Sequence, residues 1–120
     1  MGSALSIILQ CSGGGAEEEL RSLSQWLEAD SAVRRHVQIA PGTSRPLIPG
    51  QQGDLLDLIT LVVSSGFSAA SLAVSIASWR ASRPTPPAVI VTRDAGERAE
   101  IPSDASSQET EASVRRLLEG

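Results

Sequence analysis

From Leu58 through Ser78 the chain runs 21 residues without a charged side chain, and this stretch limits the possible folds more than any other. An uncharged run of that length is long enough to cross a bilayer as one helix. Its content argues against a constitutive span, because Thr60, Ser64, Ser65, Ser68, Ser71, Ser75, Ser78 and Gly66 dilute the apolar residues. Leu55, Leu56, Leu58, Ile59, Val62 and Val63 exceed strand length before any breaker, so the reading is helical from Asp54 to Arg83. Ser64-Ser65-Gly66 marks a kink or a break into two helices, since glycine inside a helix costs about 1 kcal/mol relative to alanine.

Small residues recur at every fourth position of this segment, Ser65, Ala69, Ala73 and Ala77, with Gly66 and Ala70 beside them. Such a ridge lets another helix approach closely. These six residues and Trp79 are the candidate interface. Packing against the chain's own sheet is the first expectation. Oligomerisation or partner binding is the second, because a helix that is apolar or small all round needs cover on several sides.

The flanks define the rest of the domain. Ala4 to Cys11 is a branched apolar run ended by Ser12-Gly13-Gly14-Gly15, which predicts a buried strand and a loop. Glu17, Glu18 and Glu19 then sit in a first helical turn, with Leu20, Leu23, Trp26 and Leu27 forming one stripe that the helix is expected to bury. Val33 to Ala40 alternates as a half-buried strand. Pro41 to Gly53 is a Pro/Gly-rich loop, and Arg83-Pro84-Thr85-Pro86-Pro87 stops the long helix. Ala88–Arg93 and Glu97–Ile101 flank Asp94-Ala95-Gly96 as a hairpin, and Ser106 or Ser107 caps a last helix through Leu118. The expectation is one α+β domain over residues 1–120, in the order β-α-β-α(kinked or split)-β-β-α. About four strands would form one mixed sheet under packed helices.

Composition narrows the function. A formal charge of −4, with aromatic residues at 2%, leaves neither the basic footprint nor the stacking platform of a nucleic-acid binder. All ten basic residues are arginine. Cys11 is the single cysteine, so no internal disulfide is available and a reduced cytoplasm fits. The start of the chain lacks the basic region of a signal peptide, and the loose myristoylation pattern at Gly2 and Ser6 stands without a second anchoring signal.

The sharpest enzymatic possibility pairs Cys11 as nucleophile with His36, the sole histidine. Against it, Cys11 ends an apolar strand and reads as a small core residue, and His36 beside Arg34 and Arg35 reads as solvated. Ser12–Gly15 has the look of a phosphate-cradling loop, but it lacks the Gly-Lys-Ser/Thr ending, and Glu17 to Glu19 would repel phosphate. Asp54 and Asp57 read as first-turn carboxylates, and Glu97, Arg98 and Glu100 as an alternating charged edge. The residues therefore predict no catalytic site, metal or cofactor.

Taken in order, four segments resemble the effector-associated constant component family of actinobacterial conflict systems. They are Leu20-Arg21-Ser22-Leu23-Ser24-Gln25-Trp26-Leu27, Leu55-Leu56-Asp57-Leu58 with Ser64-Ser65-Gly66, Ala77-Ser78-Trp79-Arg80 before the Pro-rich stop, and Val89 to Ile101 with its Asp94-to-Arg98 turn. The resemblance implies a small non-catalytic component that accompanies caspase-like or trypsin-like effectors and NTP-dependent regulators in bacterial immunity. No catalytic residues carry over. The expected function is an adaptor acting by protein contacts, with possible homo-oligomerisation. The alternative is a conditional membrane-active or self-assembling effector that exposes the helical segment over 55–79.

Overall fold

The computed structural model describes residues 5–12, 15–42, 57–64, 67–94 and 96–119. In chain order the elements are β1 (Leu5–Cys11), α1 (Ala16–Ala29), α2 (Ser31–His36), β2 (Val37–Gly42), β3 (Leu58–Val63), α3 (Ala69–Ser82), β4 (Val89–Arg93), β5 (Arg98–Ile101) and α4 (Ser107–Glu119). The strands form one sheet in the order β2-β3-β1-β4-β5. Every pairing is antiparallel. From β1 to β4 this is the connectivity of the split βαβ, ferredoxin-like arrangement, extended at one edge by β5 and by α4.

The α+β class and the single sheet agree with expectation. The sheet has five strands and not about four, and it is wholly antiparallel where a mixed sheet was expected. The added strand comes from the uncharged stretch. Leu58–Val63 is not the first half of a helix: it lies between β1 and β2, with Ile7 opposite Leu61 and Ile39 opposite Leu61 on the other side. Burial alternates along it, with Ile59, Leu61 and Val63 buried and Leu58, Thr60 and Val62 partly exposed. Ile59, Thr60, Val62 and Val63 are β-branched and suit a pleated strand. Because the outward positions are apolar too, the run lacks a visible period of two and reads equally as helix.

Two further boundaries differ. Pro41 and Gly42 complete β2 instead of opening the loop, while 43–53 and Asp54 to Leu56 lie outside the described residues. Val33 to Ala40 is not one strand, because Asp30 caps a short helix first: its carboxylate accepts from Ala32 N at 3.0 Å and Val33 N at 3.4 Å. The last helix starts as expected. Ser106 Oγ accepts from Glu109 N at 3.0 Å, and Glu109 Oε1 accepts from Ser106 N at 2.8 Å, a capping box. The hydrogen bond that Ser106 N donates to it, with the Ser106 hydroxyl adding to the effect, holds the Glu109 carboxyl below its ordinary pKa.

The core lies on one face of the sheet, where Ile7, Leu9, Ile59, Leu61, Val89 and Val91 are fully buried. α1 packs on β1, β2 and β3, α4 packs on β4 and β5, and α3 lies against α1 and α4. The other face presents Ile8, Thr60, Val62, Ile90 and Thr92, all partly exposed. One face is packed and the other solvated, as antiparallel sheets allow.

Candidate functional site

α3 carries two rows of residues at four-residue spacing. Ser75, Trp79 and Arg83 face α1. Ser75 Oγ donates to Asp30 Oδ2 at 3.4 Å, and Trp79 Nε1 donates to Ser22 Oγ at 3.1 Å. Arg83 donates to Ser22 Oγ at 3.0 Å and reaches Glu19 with two nitrogens, at 3.0 and 2.6 Å. The bond to the Glu19 carboxylate raises the Arg83 pKa further. Polar contacts thus join α1 and α3 at both ends of their seam.

Leu72, Ile76 and Arg80 form the other row, which points into the core. Arg80 is only 2% exposed. Its guanidinium donates to the carbonyls of Pro87 (3.0 Å), Ala105 (3.2 Å), Pro102 (2.9 Å) and Ser103 (3.3 Å), and to Thr110 Oγ1 (2.7 Å). All five acceptors are neutral. Burial lowers the Arg80 pKa, with the nearby Cys11 acting the other way. This cation fastens the end of α3 to the 83–88 link, to the turn before α4 and to α4 itself.

Cys11, at the end of β1, is partly buried, and its thiol is pushed up to about 12, first by burial and then by Glu19, against opposing Arg80 and Arg83. A thiol in that state is not a nucleophile at neutral pH. Nor does His36 lie near it. His36 O accepts from Ser64 N, just past the Leu5–Val63 pairing at the opposite end of β1. Six residues of extended strand separate those ends, roughly 20 Å. The Cys11–His36 pairing is therefore not formed.

The candidate interface residues fall into three groups. Ser65 and Gly66 lie outside the described residues. Ala73, Ala77 and Trp79 are buried within the chain, at 0%, 2% and 0% exposure, so their close packing is intramolecular. Ala69 and Ala70 are partly exposed, and Ala69 lines an apolar cleft of about 160 Å³ with Leu5, Val63, Phe67, Leu72 and Leu118. No helix among the described residues is long and apolar enough to cross a membrane, and no acidic, His or Cys cluster among them could hold a metal ion.

α1 was expected to bury Trp26 with Leu20, Leu23 and Leu27, but only the leucines are buried, because Trp26 lies at the edge of their stripe; two surfaces emerge that the sequence did not single out. Trp26 and Val74 are exposed at 38% and 47%. Trp26 lies one turn after Ser22 and one turn before Asp30, and Val74 lies on the exposed row of α3 with Ser71 and Ser78. The second surface is a cleft of about 400 Å³ lined by Arg34, Arg35, His36, Gln38, Val62 and Ser64. The His36 ring stacks on Phe67, with centroids 5.4 Å apart and planes at 24°. The signal for the first was Trp26 at the edge of the Leu stripe. For the second it was three consecutive basic residues in an acidic chain.

The structure defines a small α+β scaffold in which Ser22, Trp79 and Arg80, all within the segments that carry the family resemblance, lock the helices together. The chain matches the family model Effector Associated Constant Component 1 over residues 12–120, and it belongs to that family. The family's name describes an accessory component associated with effectors. No curated protein and no solved structure matches the chain.

Proposed function

We propose that this chain is a non-catalytic adaptor, which holds or regulates its effector through surface contacts. The effector would be a caspase-like or trypsin-like protease or an NTP-dependent regulator, met in the cytoplasm. The observation that carries this reading is the exposure of Trp26 and Val74 on the helix layer, while Arg80 and Arg83 are occupied in holding the fold. Tryptophan is the residue type most enriched among binding hot spots. A solvent-facing one on a packed helix is a low-entropy anchor for a protein surface.

The test is co-purification of the accompanying effector with the full chain, with effector activity measured in its presence and absence. Trp26→Ser with Val74→Ser should leave the fold intact and weaken capture by about tenfold or more. Cys11→Ala should leave capture and effector regulation unchanged. Loss of biological activity in a folded Cys11→Ala protein would overturn the non-catalytic reading.

A further inference from the structure

We propose that the cleft at the end of α2 binds an acidic segment of the protein this chain serves. The proposal rests on the adaptor reading for the identity of that protein, and on the cleft itself for the chemistry.

Arg34 and Arg35 both line the cleft, with the His36 ring beside them. Both arginines are exposed, and neither forms an ion pair or side-chain hydrogen bond among the described residues. Other arginines show the contrast. Arg21, Arg83, Arg93, Arg98 and Arg115 each meet a glutamate, and Arg80 is saturated by carbonyls and Thr110. Among the described residues no carboxylate lines the cleft. Two unpaired guanidinium forks on one concavity therefore stand ready for planar, bidentate carboxylate recognition.

Cations in the last turn of α2 complement its C-terminal carbonyls in any case. That effect does not require two of them to line one cleft, nor does it account for the cleft's other walls. Gln38 and Ser64 add an amide and a hydroxyl, and Val62 adds an apolar surface from the uncovered side of the sheet. The stack on Phe67 holds the imidazole wall in place. A volume of about 400 Å³ exceeds what one inorganic anion fills. Charged rim, polar walls and apolar floor together fit a peptide in which carboxylates and aliphatic side chains alternate.

Nucleic acid fits less well. Two arginines on this cleft, in a chain of net charge −4, give little counterion release, and extended phosphate tracking needs a longer basic stripe.

The probe is a fluorescein-labelled peptide of alternating Glu and Val residues, titrated against the full chain at low and moderate salt. Saturable binding is expected, with amide shifts in an NMR spectrum confined to the Arg34–Gln38 region and Ser64. Arg34→Gln with Arg35→Gln should weaken it by about tenfold or more, since hydrogen bonds to charged groups are among the stronger polar contacts. Arg116→Gln, an exposed arginine on α4 that also lacks an ion pair, should change nothing. Undiminished binding by the double variant, tighter binding of a single-stranded oligonucleotide of equal charge, or a dimer that dissolves in the double variant would each overturn the proposal.

Failure of this proposal is separable from failure of the adaptor reading. Effector that co-purifies equally with the double variant and the parent refutes the cleft assignment alone. Peptide binding in a chain that captures no effector refutes the adaptor reading alone.

Discussion

Leu58–Val63 and Ala69–Ser78 belong to one uncharged stretch, yet the first is a central strand and the second a helix packed between two others. β3 draws its backbone hydrogen bonds from neighbours on both sides, so its residues need only fit a pleated surface with apolar side chains on both faces. α3 satisfies its own backbone and must instead be fixed by side chains. Ser68 caps it, accepting from Ser71 N at 3.4 Å, and Ser75, Trp79, Arg80 and Arg83 tie it to α1, to α4 and to the links around them. Two serines of the helical half thus have structural tasks, Ser68 as cap and Ser75 as a seam contact.

The largest expected effect tests whether both halves are core. Trp79→Ala should destabilise the domain by about 3–5 kcal/mol, and Leu61→Ala by about 2–5 kcal/mol, read from urea unfolding midpoints at constant slope. A total stability of about 5–15 kcal/mol makes either change a large fraction of the whole. A loss below about 1 kcal/mol for Leu61→Ala would break the assignment of the first half to the centre of the sheet.

Next comes the polar anchor that only the helical half has. Arg80→Met keeps much of the buried stem while removing every donor to Pro87, Pro102, Ser103, Ala105 and Thr110. Leaving buried acceptors unmatched should cost about 3 kcal/mol, and hydrogen exchange should rise first in the turn before α4. A variant as stable as the parent would mean that water replaces the guanidinium freely.

The two halves meet again at Cys11, which ends the strand beside β3 and senses Arg80 at the end of α3. Its thiol pKa rises from the ordinary 9.0 to about 12 in the native chain. Below about pH 9 both folded and unfolded chains hold the proton, so stability is flat there. Above it the unfolded chain releases the proton and the native chain keeps it. Stability should thus fall by about 2 kcal/mol between roughly pH 8.5 and pH 10.5. The chain has no lysine and no tyrosine, so no other side chain type ordinarily titrates in that window. Cys11→Ala should abolish the slope, and a slope that survives the substitution would place its origin elsewhere.

How far the residues announced this architecture differs by segment. β1, α1, the β4–β5 hairpin and α4 were legible because each pairs a clear period with a recognisable stop: the Gly run after Cys11, Asp30, the Asp94–Gly96 turn and the Ser106 cap. β3 was not legible, because a central strand with apolar residues on both faces has no period to show. α2 was hidden because Asp30 ends one helix and caps the next, a double use that no spacing rule separates. Of the candidate interface, Ser65 and Gly66 lie outside the described residues, and Ala73 and Ala77 lie against the chain's own core. A ridge of small residues announces close approach without naming the partner. Trp26 and the Arg34–His36 cleft depend on which side of each helix the sheet occupies, information that resides in the tertiary contacts.

The smallest predicted effects discriminate most sharply between the halves, because the same kind of substitution should change sign. Thr60 is partly exposed in β3, flanked by Ile8 on one side and Ala40 on the other. Thr60→Ala should destabilise by up to about 1 kcal/mol, as alanine is disfavoured in a central strand. Val74 lies in α3 at 47% exposure, where a β-branched side chain loses rotamer freedom against the preceding turn. Val74→Ala should therefore stabilise by about 0.5 kcal/mol. Were Leu58–Val63 helical, Thr60→Ala would stabilise as well, so matched thermal melts of the two variants decide the issue by sign alone. If Val74→Ala gains stability while effector capture weakens, valine at this position is explained by contact and not by folding. A gain in stability with capture unchanged would leave Trp26 as the anchor of that surface without Val74.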